Sequence, residues 1–527
     1  MTLKRPHKGE SYLWTREIPH IFHTNLNTEH IMKTTIKNLM QSSQVTFGTS
    51  GARGLVKDMT DQVCYAYTLG FIQYLQKTQQ LDSTSKIVLA GDLRKSTPAI
   101  LNACAKAILD SGFEVINAGL IPTPAVALYG LDHHCAAIMV TGSHIPDDRN
   151  GIKFYKLAGE ILKDDELIIK QQNIKLSDSL FDAKGQFSKE DNFLPAIDKT
   201  AEDNYKKRFI DLFPEAAFAG KKVGVYQHSG VARDMIPEIL TSLGAEVIKL
   251  GFSDQFIPVD TEAVRSEDIA LARQWVAEHQ LDTIVSTDGD ADRPLISDEK
   301  GEWFRGDIVG VLCAHYLQID HIVTPVSSNT CVEKSNFFAD VKRTRIGSPY
   351  VIEAMNHYIE DNYLAVAGYE ANGGFLLATP IRQNNILLSP LPTRDAIIVL
   401  LSIIHSAVQM NCPLSKLSEQ LPQRYTYSDR IKNFATEKSQ QLMAKYTAGN
   451  DDENKQVLET DFPELVENLG EIIHINTIDG LRITFANEAI IHFRPSGNAP
   501  EFRCYSESCS EEDAVIINHI AMQTILK

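Results

Sequence analysis

KIVLAGDLRKSTPAILNACAKAILDSGFEVINAGLIPTPAV, residues 86–126, decides the fold. An apolar run opens it. A helix-length stretch with amphipathic spacing follows, then a Gly, a second apolar run and a Pro-containing loop. That order reads as strand, helix, strand. The same order returns in KVGVYQHSGVARDMIPEILTSLGAEVIKLGFSDQFIPV, residues 222–259. A weaker third copy runs from HIVTPVSSNT to VKRTRIGSP, residues 321–349. Repeated βαβ units imply parallel sheets with helices on their faces. Duplication of one unit explains the likeness.

The last part of the chain has a different character. EIIHINTIDG, LRITFAN and AIIHFRPS read as antiparallel strands, and EEDAVIINHIAMQTILK reads as a closing helix. The fold class expected is therefore α/β: three related domains with mixed, mainly parallel sheets, then a C-terminal α+β domain. A chain of 527 residues exceeds one hydrophobic core, which agrees with several domains. Polar stretches at residues 184–208, DEKGEW after Ser297 and the region of Pro422 suggest boundaries. The limits expected are 1–45 (a helical N-terminal extension), 46–200, 201–304, 305–422 and 423–527. KYTAGNDDENKQ, residues 445–456, reads as a surface loop.

Composition narrows the partners. The hydrophobic share is 43% and the charged share 23%, ordinary for a globular protein with a packed core. The net charge of -17 gives no global basic field, so no nucleic-acid partner is expected and any phosphate site must be local. The 8 cysteines form no CxxC pattern and point to a reducing compartment. The N-terminus, MTLKRPHKGESYLWTREIPH, carries no apolar signal region, and a cytoplasmic location is expected. The longest apolar run, Ala396 to Ile404, is too short for a membrane span and reads as a buried helix or strand.

Five motifs carry chemistry. TGSHIPDDRNGIK, Thr141 to Lys153, follows the apolar strand CAAIMV, and loops at such strand ends bind ligands in open α/β sheets. Ser143 offers a hydroxyl beside His144, and Lys153 offers a cation. An acyl-transfer serine would sit in a GxSxG elbow, which is absent. STDGDADR, Ser286 to Arg293, alternates Asp288, Asp290 and Asp292, so three carboxylates can converge on one hard cation. An EF-hand would use Glu299 at the twelfth position, but Arg293 replaces the required Gly. RPSGNAPEFR, Arg494 to Arg503, offers two arginines, Ser496 and the amides around Gly497 and Asn498 as an anion nest. FGTSGARG, Phe47 to Gly54, brings Arg53 on a glycine-rich turn. GYEANGG, Gly368 to Gly374, brings Glu370, Asn372 and Gly373 to a tight loop suited to sugar hydroxyls.

Together and in this order, the motifs resemble the α-D-phosphohexomutase superfamily, in its phosphomannomutase and phosphoglucomutase branch. The resemblance runs from about Phe47 to the end. It implies three α/β domains and a fourth α+β domain around one central cleft. It implies that Ser143 carries a phosphoryl group, and that Ser143, Asp288, Asp290 and Asp292 form the set around a Mg2+ ion. Arg293, Lys153, Arg53 and His144 fall near the reacting centre. Glu370, Asn372 and Gly373 fall in the sugar-recognition loop. Arg494, Ser496, Gly497, Asn498 and Arg503 fall in the loop that grips the non-reacting phosphate. The implied activity interconverts hexose 1-phosphate and hexose 6-phosphate, most of all those of mannose, with a hexose 1,6-bisphosphate as activator. Glucose phosphate, or both sugars, is the alternative. A non-catalytic sugar-phosphate binder or a phosphatase is a rival of another class. The sugar loop reads E-A-N-G-G where the family has E-x-S-G or E-x-S-A, and it lacks the E-Q-S-G form of phosphoglucosamine mutases.

Overall fold

The computed structural model describes residues 31–383, 385–495 and 501–526. Its first large sheet orders the strands Thr46–Phe47, Gly51–Leu55, Arg149–Lys156, Ala136–Val140, Lys86–Gly91 and Glu114–Leu120. Lys86–Gly91 runs parallel to both Glu114–Leu120 and Ala136–Val140, and Arg149–Lys156 returns antiparallel. The second sheet repeats this core with Glu246–Phe252, Lys222–His228, Thr283–Thr287 and Pro294–Ile296. The third repeats it again with Asp340–Thr344, His321–Pro325, Val366–Tyr369 and Phe375–Leu377, and adds Leu391–Asp395 at its edge. In chain order each core reads second, first, third, fourth. The first three strands are parallel and the fourth is antiparallel.

The weakness of the third copy has a simple cause. Its crossover helix shrinks to Cys331–Lys334, against Thr97–Asp110 in the first unit and Met235–Ser242 in the second. A helix of one turn leaves no amphipathic period to read. The strands themselves are legible because they are covered on both faces. All of Ala136–Val140 and Thr283–Thr287 is buried, as central parallel strands require.

One hydrophobic cluster runs through all three units, from Val88 and Tyr129 through Phe209 and Ile239 to Ile322 and Leu400. The apolar run at Ala396 belongs to it, as the helix Ala396–Gln409, buried around nearly its whole circumference. Asp395 caps that helix by accepting from the amides of Ile397 and Ile398. No single helix among the described residues is long and apolar enough to cross a membrane.

The C-terminal unit has its own cluster, built on residues such as Phe485, Phe493, Phe502 and Met522. Its sheet is antiparallel throughout, in the order Tyr425–Lys432, Glu501–Ser508, Ile490–Pro495, Leu481–Phe485 and Ile472–Asn476. The closing helix spans Glu511–Leu526.

Two readings need correction. Residues 445–456 are not a plain loop: they end the helix Thr436–Thr447 and begin the helix Asp451–Asp461. Asn450 and Glu453 form a reciprocal cap there, and the polar composition reflects exposed helix faces. The N-terminal extension is only partly helical where described. Ile31–Thr35 is a strand, paired antiparallel with Asn173–Ser177, and Ile36–Ser43 is the helix that follows.

Candidate active site

Three turns occupy the same place in three sheets. Residues 141–148, 288–293 and 370–374 each join the third parallel strand to the antiparallel fourth. They carry Ser143, the three aspartates, and Glu370 with Asn372. The structure brings all three together. Ser143 Oγ donates to Asp288 Oδ2 at 2.5 Å. Lys153 Nζ bonds Asp290 Oδ2 at 2.7 Å and Asp292 Oδ2 at 2.6 Å. Arg394 reaches Asp292 Oδ2 at 2.8 Å with one amine and Glu370 Oε2 at 3.0 Å with the other.

Ser143 is held in an unfavourable backbone state. Its φ is 52°, in the left-handed region that non-glycine residues seldom occupy. Local bonds enforce it. The Ser143 amide donates to Thr141 Oγ1 at 2.8 Å, and its carbonyl accepts from Arg94 Nη2 at 2.9 Å. Arg94 also donates to the carbonyls of Ile145, Pro146 and Arg149, while its Nε faces Asp92 Oδ2 at 3.2 Å. Asp92 in turn accepts from Thr97 and Thr141. Both charges are buried, and the ring of Phe256 stacks 3.9 Å from the guanidinium. The serine loop is therefore braced from below by one buried arginine.

The aspartate turn is equally shaped. Asp288, Asp290 and Asp292 are wholly buried, with candidate ligand oxygens within 4.8 Å of one another. Asp290 Oδ1 and Asp292 Oδ1 have no hydrogen-bond partner. Two orphaned buried carboxylate oxygens beside a third carboxylate fit a hard divalent cation. Burial, and then the charges of Asp290 and Asp292, push the Asp288 carboxyl well above its ordinary range. Burial raises Asp290 too, but Lys153 and Thr123 outweigh it and hold that carboxylate below its ordinary value. Thr123 opens the helix Thr123–Asp132 and donates to Asp290 through its amide and its hydroxyl. Glu299 takes no part here: it accepts from Ser415, which removes the EF-hand alternative.

The cavity over Ser143 is lined by Arg53, Lys153, Arg293 and Arg394 together with Gly48–Ala52 of the glycine-rich turn. Arg53 lies on a strand that pairs antiparallel with the strand of Lys153. Burial, and then the nearby Arg293, lower its guanidinium to about 10. Arg293 Nε is buried without a hydrogen-bond partner, 3.7 Å from Asp292 Oδ1 and 3.9 Å from Asp288 Oδ2. His144 Nδ1 lies 3.3 Å from Ser143 Oγ. Burial, then Arg293 and Arg53, push its ring down to about 2, so it is neutral at physiological pH. Burial opposes the charge on Lys153, but Asp290 and Asp292 outweigh it and raise its pKa.

In the third turn, Asn372 Oδ1 accepts from the Gly374 amide at 2.9 Å, and Gly373 takes a φ of 88°. The C-terminal arginines stand apart from this cavity. Arg494 and Arg503 face each other across adjacent strands, and Arg494 Nε pairs with Asp479 Oδ1 at 2.9 Å. Ser496, Gly497 and Asn498 lie outside the described residues.

Sequence reasoning missed Asp92, Arg94, Thr123 and Arg394. Three of these had a signal. GDLR and IPTP stand at strand ends within the first βαβ repeat, where ligand loops belong. Arg394 gave none beyond a charge entering an apolar helix.

Comparison with known proteins agrees with this architecture. Family models for phosphoglucomutase/phosphomannomutase alpha/beta/alpha domains I, II and III match residues 44–178, 204–301 and 305–425. A phosphomannomutase of Salmonella muenchen is 43% identical over 489 residues, covering 93% of this chain and 97% of that protein. A phosphomannomutase of Sinorhizobium fredii is 38% identical, covering 90% of this chain and 97% of that protein. Among solved structures, a phosphoglucomutase/phosphomannomutase family protein from Burkholderia thailandensis aligns with a TM-score of 0.67 at 18% identity, covering 90% of this chain and 96% of that one.

Proposed function

The chain belongs to the phosphoglucomutase/phosphomannomutase family, and from that premise we propose that it interconverts mannose 1-phosphate and mannose 6-phosphate through phospho-Ser143. The observation that carries the reading is the 2.5 Å contact between Ser143 Oγ and Asp288, beside a cavity whose charged lining is Arg53, Lys153, Arg293 and Arg394. His144, with its ring lowered to about 2, is too weak a base to activate a serine for acyl transfer. A serine facing three carboxylates and four cations suits a phosphoryl group.

In the proposed cycle, phospho-Ser143 donates its phosphoryl group to a free hydroxyl of the hexose monophosphate. The serine Oγ–P bond breaks as the sugar O–P bond forms, giving a 1,6-bisphosphate. The bisphosphate turns by about half a revolution, and its other phosphate returns to Ser143. Such transfers pass through a loose, anionic transition state, so positioning and cationic stabilisation carry most of the catalysis. Arg94 fixes the loop geometry from below. Arg53 and Arg293 line the cavity as charge-stabilising groups, and Lys153 stays a cation between Asp290 and Asp292. His144, held neutral, hydrogen-bonds the serine and acts as no cationic acid.

Asp288, Asp290 and Asp292, with an oxygen on Ser143, would hold Mg2+, which would neutralise charge at the transferring phosphate. Glu370 and Asn372 are assigned to sugar recognition, and Arg494, Ser496, Gly497, Asn498 and Arg503 to the distal phosphate. A hexose 1,6-bisphosphate is assigned as the activator that phosphorylates Ser143. We take the unit limits as 46–200, 201–304, 305–422 and 423–527. Free cysteines throughout the described residues support a cytoplasmic location.

The deciding test compares kcat/KM for mannose 1-phosphate and glucose 1-phosphate with Mg2+ and a bisphosphate activator. A clear mannose preference is expected. Comparable values would make the enzyme dual-specific. Binding without isomerisation, or phosphate release without isomerisation, would overturn the mutase reading.

A further inference from the structure

The C-terminal unit has its own hydrophobic core and meets the third α/β unit through polar contacts at two places. The first lies beside the unit boundary near Pro422. Glu507 accepts from Arg424 Nε at 2.7 Å, from the Thr330 amide at 3.1 Å and from the Thr330 hydroxyl. These charges are buried, and Arg424 immediately precedes the first C-terminal strand. The second joins residues 345–346 to residues 478–479. Arg345 Nε donates to the Ile478 carbonyl at 3.1 Å, and the Ile346 amide donates to Asp479 Oδ2 at 2.9 Å. Ile346 is followed by Gly347, beside Thr49 of the glycine-rich turn that lines the Ser143 cavity.

Asp479 therefore has two duties. Its Oδ2 meets the third unit, while its Oδ1 accepts from Arg494 Nε at 2.9 Å. Among the described residues, the terminal amines of Arg494 make no hydrogen bond, so its remaining donors are free for a ligand. The turn is closely packed around this pair. Gly480 has a φ of 85°, and a Cβ there would lie 2.3 Å from the Phe493 carbonyl oxygen. The Asp479 carbonyl also faces His492 Nε2 at 2.6 Å.

We propose that Asp479 is a positioning residue that aims the Arg494 guanidinium at the distal phosphate, and does so when the C-terminal unit is docked on the third unit through Arg345 and Ile346. The proposal rests on the phosphate-gripping role assigned to Arg494 above. A carboxylate is needed because both partners are donors. An asparagine side chain presents one acceptor and one donor, so it can satisfy Arg494 or Ile346 but not both. Docking the unit and aligning the arginine then become one event, and the distal phosphate is held best when the C-terminal unit is docked.

The test uses the full-length protein, with hexose 6-phosphate binding by calorimetry and isomerisation kinetics measured side by side. Asp479→Asn is nearly isosteric and should fold. It is expected to weaken binding and raise KM by about tenfold, the loss typical of a hydrogen bond to a charged group, while kcat stays within about threefold. Arg345→Ala leaves the Asp479–Arg494 pair intact and is expected to weaken binding by about threefold through looser docking. Unchanged affinity in D479N would overturn the proposal. Unchanged affinity in R345A would overturn its docking half. A fall in kcat at unchanged affinity would assign Asp479 to chemistry instead and overturn it as well. If the wild type binds the sugar phosphate yet does not isomerise it, the mutase reading fails while the affinity comparison still judges Asp479.

Discussion

Gly289 and Ser143 stand back to back: a Cβ placed at residue 289 would lie 2.7 Å from the Ser143 carbonyl oxygen. The aspartate turn thus approaches the serine turn as closely as backbone allows. Gly289→Ala should push the two apart. Overpacking of this kind costs ~1–3 kcal/mol, and a shift of ~1 Å at a reacting centre costs on the order of 100-fold in rate. Denaturant midpoints and kcat, measured together, check both figures. A variant with unchanged kcat would show that the serine tolerates displacement.

Arg94 binds four carbonyls of the serine loop and is itself paired with a buried carboxylate. Arg94→Met should therefore be worse than a lost ion pair. It leaves Asp92 buried without its cation and releases Ser143 from the left-handed conformation. A loss of ~3–5 kcal/mol is expected. Lysine should rescue little, since one ammonium cannot span the carbonyls that a planar guanidinium reaches. Thermal unfolding of both variants checks the order.

Ser143→Ala should abolish net isomerisation, with a loss of at least about 1,000-fold in kcat, while hexose-phosphate affinity stays within about threefold. Radiolabel from a hexose bisphosphate should enter the wild type and not the variant.

Metal removal gives an independent reading of the aspartates. A chelator should silence the wild type, and added Mg2+ should restore it. Asp290→Asn keeps the shape but removes a charge that Lys153 and Thr123 also contact. It should raise the Mg2+ concentration needed for half activity by at least about tenfold.

Acid sensitivity should have a contribution from His492. Burial, against a weaker pull from the Asp479 carbonyl, lowers its ring to about 4. The ordinary value is about 6.5, so between these pH values the unfolded chain binds the extra proton. Stability should therefore be full above pH ~6.5 and fall as the pH drops toward 4, by about 3 kcal/mol for this residue. His492→Asn should flatten that slope in urea titrations read at several pH values. An unchanged slope would remove His492 as a cause.

The sequence made the strand and loop alternation legible because buried parallel strands are apolar runs and each turn of the candidate site follows one. It also made Ser143 and the aspartates legible, since chemistry there is concentrated in short contiguous motifs. Arg394 was hidden for the opposite reason. It joins Asp292 to Glu370 across 102 and 24 residues of separation, and only tertiary packing reveals the bridge. Strand Tyr425–Lys432 escaped notice because its residues are mostly exposed or half-buried, with no apolar alternation. The short crossover at Cys331–Lys334 weakened the third repeat for want of a helical period.

The three equivalent turns have an evolutionary consequence. One ancestral mounting point exists in triplicate, and the proposed labour is divided among the copies: transfer on the first, charge neutralisation on the second, recognition on the third. On that proposal, selection for a new sugar works on residues 371–374, while Glu370 stays tied through Arg394 to Asp292 and to the apparatus that moves phosphate. Specialisation by copy, rather than by invention, lets a single scaffold diversify its diet while its chemistry stays fixed.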